Sequence, residues 1–145
     1  MIIAVEIRTS TKNDFGGIAG LIIHELGYSD QKPADIISRL RHLENSPNHT
    51  TLVATDGDNV VGFIGLCRTI TYESGEFLWI QAFAVTEARQ RQGIGKRLLA
   101  AAADFACQCN ISLIKVNCAF HRTKTHQFYE ANGFERKSYC FYKYV

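Results

Sequence analysis

Phe83-Ala84-Val85-Thr86-Glu87-Ala88-Arg89-Gln90-Arg91-Gln92-Gly93-Ile94-Gly95-Lys96-Arg97-Leu98 is the stretch that decides how this chain folds. It begins as the end of a period-two run, Phe77 to Val85, and passes through a polar turn. It then enters a segment in which Ile94, Leu98, Ala101, Ala102 and Phe105 recur at helical spacing. The pattern predicts a strand, a loop and a helix. A helix start of this kind presents unpaired N–H groups and the positive end of the helix dipole, a ready site for phosphate oxygens that glycine lets approach the backbone. Arg91, Lys96 and Arg97 either add charge there or stand as solvated surface residues. A Walker A loop is excluded, because Gln90 stands where its first glycine would be and Arg97 follows Lys96. A dinucleotide fingerprint is excluded by Leu98, where a third small residue is needed.

Working outward, the segment Ala4 to Arg8 alternates like a strand and meets Thr9-Ser10-Thr11-Lys12-Asn13-Asp14, which reads as a helix cap. Ile18, Leu21, Ile22 and Leu26 keep helical spacing up to Gly27, with Gly16-Gly17 loosening that helix. Pro33 opens a second helix carrying Ile36, Ile37, Leu40 and Leu43. Leu52 to Thr55, the turn Asp56-Gly57-Asp58-Asn59 and the run Val60 to Tyr72 form a hairpin, and Glu73-Ser74-Gly75-Glu76 turns into the Phe77 strand. Ile111 to Cys118 reads as a strand buried on both faces, Thr123 to Asn132 as a short helix, and Phe134 to Tyr144 as one or two closing strands. The order predicts a single α/β domain over 1–145. Its mixed sheet is antiparallel at the hairpins, parallel at the crossovers and flanked by helices.

Composition narrows the function. At 145 residues, 46% hydrophobic and 21% charged, with two prolines, the chain has enough apolar material for one core and little for linkers. A net charge of +2 gives no nucleic-acid or membrane footprint. Five cysteines, odd in number and without a CxxC pair, read as reduced thiols rather than disulfides or a metal site. No segment has the length of a membrane span or the pattern of a signal peptide, so a cytoplasmic location is expected.

Phe83-Ala84-Val85, the Gln90-to-Gly95 segment as a match to Q/R-x-x-G-x-G/A, and His126-Gln127-Phe128-Tyr129-Glu130-Ala131-Asn132-Gly133-Phe134 together resemble the GNAT acetyltransferase family. The resemblance takes in the hairpin and both N-terminal helices. It implies acetyl-CoA as cosubstrate. The backbone of Phe83, Ala84 and Val85 would pair with the pantetheine arm, and the loop Arg91, Gln92, Gly93, Ile94, Gly95 and Lys96 would hold the diphosphate. Tyr129 would protonate the departing thiolate. Arg122 departs from the family's usual asparagine, and Thr125 from its alanine; Arg122 either meets a coenzyme phosphate or caps the next helix, and His126 would orient the coenzyme or Tyr129.

Acetyl transfer also needs a neutral amine and a polarised carbonyl. The Val85 N–H is the expected donor to the thioester oxygen. The strand before the loop, Trp79-Ile80-Gln81-Ala82-Phe83, contains no carboxylate, which leaves the base unassigned among Glu25, Asp30, Glu76 and His121. Strict alternation would place Phe77, Trp79, Gln81 and Phe83 on one face, with Trp79 and Gln81 either lining an acceptor pocket or packing in the core. Glu25 near the end of the first helix, and Tyr28 and Asp30 in the loop between the two N-terminal helices, are the remaining acceptor candidates. A small-molecule amine is the expected acceptor, and a protein N-terminus or lysine is the alternative. A non-catalytic acyl-CoA-binding module is the reading from another class. An edge strand near the C-terminus could support a homodimer.

Overall fold

The computed structural model describes residues 4–145, which divide into two compact units, one ending at Lys115 and one running from Val116 to Val145. In the first unit β1 (Glu6–Thr9) leads into α1 (Phe15–His24) and α2 (Pro33–Glu44). Next come β2 (His49–Asp56), β3 (Asn59–Thr71), β4 (Gly75–Val85) and α3 (Ile94–Gln108). The short strand β5 (Ile114–Val116) ends at the boundary, and α4 (Thr123–Ala131) lies in the second unit. The sheet order is β1-β2-β3-β4-β5. The first three pairings are antiparallel, and β5 joins β4 in parallel, with the Leu78 N–H donating to the Leu113 carbonyl at 2.9 Å.

The predicted cap is real: the Asp14 carboxylate accepts the Thr11 N–H at 2.7 Å, and Arg8 Nη1 and Nη2 donate to its two oxygens at 2.7 and 2.9 Å. Asp14 is buried, yet the Arg8 hydrogen bond outweighs the cost of burial and holds its carboxyl below the usual range. A bidentate, part-buried pair of this kind stabilises by roughly 1–3 kcal/mol and pins β1 to the start of α1.

Each face of the sheet has its own helices. Val53, Phe63 and Ala84 point to the face where Phe15, Ile18, Leu21, Ile36 and Leu40 of α1 and α2 pack. Leu52, Ile64, Leu66, Leu78 and Ile80 lie on the other face, towards α3. Gly17 does not loosen α1, which is continuous. A Cβ at Gly17 would stand 2.8 Å from the Val60 Cβ, so this glycine lets the helix settle onto β3.

Three further expectations need correction. Gly65 pairs with Ala82 but Leu66 with Ile80, so Gln81 is the extra residue of a β-bulge. Phe77 and Trp79 therefore stay on the α1/α2 face while Phe83 moves to the face of Ile80. β5 is three residues long and half-buried, not a long strand buried on both faces. Residues 134–145 form neither helix nor strand. Their aromatics read as β-formers, but propensity reports a fit to a half-buried pleated surface, and Tyr139, Phe141 and Tyr144 are 75%, 91% and 90% exposed.

Candidate functional site

In the first unit the coenzyme-loop candidates lie where β4 gives way to α3. A short 3₁₀ turn, Glu87–Arg89, follows the strand, and the chain then adopts left-handed backbone twice, at Arg91 (φ 65°) and Gly93 (φ 81°). Such a φ is unfavourable for any residue with a Cβ, by about 1–3 kcal/mol, and persists only where neighbours fix it. Here they do. The Gln90 side-chain amide donates to the Val85 carbonyl at 2.9 Å, and the Arg89 Nε donates to Gln92 Oε1 at 2.9 Å. Arg89 Nη1 meets Asp56 Oδ2, at the end of β2, at 2.6 Å.

Gly93 is the N-cap of α3; its carbonyl accepts the Arg97 N–H at 3.0 Å, and the cap makes no side-chain hydrogen bond. The first turn of α3 holds no acidic residue but does hold Lys96 and Arg97, charges that oppose the helix dipole. A space where a Cβ on Gly93 would meet nothing within 4 Å adjoins these amides. Left-handed backbone, uncapped amides and basic side chains together suit a diphosphate, so the residues present fit the group that the sequence implies. Arg97 is otherwise engaged, its Nη2 donating to the Val5 carbonyl at 2.8 Å.

Of the acceptor candidates, only Glu25 is tied to the loop: its Oε1 accepts the Glu87 N–H at 3.1 Å, linking the end of α1 to the turn after β4. Tyr28 and Asp30 are exposed in the connection from α1 to α2. Trp79 is half-buried beside Phe77, and Gln81 is the exposed bulge residue.

In the second unit Tyr129 is 7% exposed and packs edge-on against Phe128 and Phe134, with ring centroids 6.0 and 5.3 Å away. Burial pushes its phenol well above the ordinary tyrosine value; Cys118 adds to the shift and Arg122 opposes it. The Cys118 thiol is raised by burial in turn. Arg122 is the N-cap residue of α4, and the His126 ring Nε2 lies 2.8 Å from the Ala119 carbonyl, anchoring the helix to the turn before it. Sequence reasoning missed Cys118 as a neighbour of Tyr129, and it missed Asp56 and Arg89 as supports of the glycine loop. The Asp56–Arg89 contact spans 33 residues, and neither it nor the pairing of Cys118 with Tyr129 carries a local pattern. Among the described residues no group of His, Cys, Asp or Glu could hold a metal ion, and no helix is long and apolar enough to cross a membrane.

An uncharacterised N-acetyltransferase of Bacillus subtilis (strain 168), YhfO, is 30% identical over 146 residues, 94% of this chain and 96% of that protein. The solved structure of a transcriptional regulator from Bacillus halodurans C-125 superposes with a TM-score of 0.88 at 22% identity, over 98% of this chain and 100% of that one. AAC(6')-Iy, in complex with the bisubstrate analogue CoA-S-monomethyl-acetylneamine, superposes with a TM-score of 0.86 at 17% identity, over 98% and 99% of the two chains. At those identities the structures speak to fold. The model of the acetyltransferase (GNAT) domain matches residues 47–136, from before the β2–β3 hairpin to beyond α4, and with the Bacillus subtilis relative it establishes that this chain belongs to the GNAT family of acetyltransferases.

Proposed function

We propose that the chain acts as one domain that uses acetyl-CoA to acetylate a primary amine of a small molecule, by direct attack of the amine on the thioester. The observation that carries this reading is the start of α3, where a left-handed, uncapped turn with basic side chains suits a diphosphate better than it suits the helix dipole. Gln92, Gly93, Ile94, Gly95 and Lys96 would hold the diphosphate and Arg91 would add charge. The main chain of Phe83, Ala84 and Val85 would hold the pantetheine arm, and the Val85 N–H would polarise the carbonyl. The thioester itself supplies the activated acyl group. Tyr129, a phenol protonated at neutral pH and held further above that range by burial, would give a proton to the leaving sulfur. The bisubstrate complex of AAC(6')-Iy supports a small-molecule amine as the acceptor.

A binding module without turnover is the second reading, favoured by the lack of any carboxylate from Trp79 to Phe83. Calorimetry with acetyl-CoA tests both readings against a Gly93→Asp, Gly95→Asp variant, whose carboxylates repel phosphate. Gly95→Asp alone, free of the left-handed constraint, serves if the double variant does not fold. Binding lost in a folded variant supports the coenzyme site, and acetylated product from an amine panel supports the enzyme. Binding without product from small amines, N-terminal peptides or lysine peptides favours the module, and no wild-type binding refutes the reading.

A further inference from the structure

The loop that would hold the diphosphate is braced from outside itself. Asp56 ends β2 at the β2–β3 hairpin, 33 residues from Arg89 in sequence, yet its Oδ2 lies 2.6 Å from Arg89 Nη1. Both side chains are largely withdrawn from water, at 24% and 19% exposure for Arg89 and Asp56. The guanidinium uses a second edge to bind Gln92: Nε donates to Oε1 at 2.9 Å. A planar fork can hold a carboxylate and an amide oxygen at once, which an ammonium cannot do with the same geometry. Between Arg89 and Gln92 lies Arg91 at φ 65°, and immediately beyond is Gly93 at φ 81°. The two left-handed residues therefore sit within and just past a segment clamped at both ends.

We propose that Asp56, acting through Arg89, is a positioning residue that holds the Arg91-to-Gly93 backbone in the shape that receives the coenzyme diphosphate. This rests on the acetyl-CoA reading above. Asp56 need not touch the coenzyme. Without the brace the loop relaxes toward ordinary backbone angles, and binding must then restore the left-handed turn, which weakens affinity.

Asp56→Asn keeps the shape and removes the charge. Arg89→Gln removes the fork, and Arg89→Lys keeps the charge but loses the bond to Gln92. Calorimetric affinities for acetyl-CoA are measured for each, and for the Asp56→Asn, Arg89→Gln double variant, at a temperature where circular dichroism shows all of them folded. Asp56→Asn and Arg89→Gln are expected to weaken binding roughly tenfold, with the double variant no worse than the poorer single one, since both remove the same brace. Arg89→Lys should lie between Arg89→Gln and wild type. Trypsin provides a coenzyme-independent readout: cleavage after Arg91 in the free protein should quicken in Asp56→Asn. Unchanged affinity in the folded variants, additive losses in the double variant, or unchanged cleavage at Arg91 would each overturn the positioning role while leaving the acetyl-CoA reading intact. Absence of acetyl-CoA binding in the wild type would instead bring down the reading itself and this role with it. Should Asp56→Asn not fold, Arg89→Lys carries the affinity and cleavage tests.

Discussion

Burial does more to Tyr129 than either Cys118 or Arg122, and its effect has a sign that can be measured. The folded phenol titrates above the value of about 10 expected for an unfolded chain. Below pH 10 both states keep the proton and the stabilisation is fully present. Above it the unfolded chain loses the proton first, and stability falls as pH rises toward the folded value. Urea unfolding of wild type should weaken between pH 9.5 and 11, and Tyr129→Phe should show a shallower fall; an equally steep fall in the variant would detach the slope from this residue. The same substitution should lower turnover about 10²- to 10⁴-fold with acetyl-CoA affinity little changed, as expected of a group that acts on the leaving sulfur rather than on ground-state binding. Tyr129 stands out in the sequence because it falls within a motif. Its neighbours do not: Cys118 lies 11 residues away in sequence, and nothing in its surroundings there marks it as part of the phenol's environment.

Among the elements, α1 to α4 and the hairpin were predicted to within a few residues, because periodicity, Pro33, Asp14 and the Asp56–Asn59 turn each act locally. The bulge at Gln81 was not. One extra residue in β4 leaves composition and apolar content unchanged, yet it reverses which face Phe83 occupies and which amides face the outer edge of the strand. The closing strands were over-predicted for the same reason, since whether an aromatic run pairs is settled by neighbours and not by the run. Close packing of α3 is likewise invisible in the sequence until Gly62 is seen in place. A Cβ there would lie 3.1 Å from Leu98 Cδ1, 3.2 Å from the Ala84 carbonyl oxygen and 3.4 Å from Ile94 Cγ2. Leu98 can shift, but the backbone oxygen cannot do so without moving β4. Gly62→Ala should therefore destabilise by about 1–3 kcal/mol despite alanine's smaller entropy loss on folding, lowering Tm by several degrees. A Tm at or above that of the wild type would show that α3 does not rest on this glycine.

The whole molecule offers a test of coenzyme binding that needs no acceptor. The glycine loop joins β4 to α3, and through Asp56 and Glu25 it is tied to the β2–β3 hairpin and to α1, so a ligand held there engages elements from both faces of the sheet. Anything that binds the folded chain and not the unfolded one stabilises it by mass action, by about 2.7 kcal/mol at a concentration 100 times Kd. For a domain of this size that corresponds to a rise in Tm of roughly 5–10 °C. Acetyl-CoA should give such a rise in wild type and a much smaller one in the Gly95→Asp variant, whereas Tyr129→Phe should retain it, because the phenol is assigned to the chemistry and not to holding the coenzyme. A rise of equal size in Gly95→Asp would move the binding away from the start of α3. Loss of the rise in Tyr129→Phe would make that tyrosine part of the binding surface.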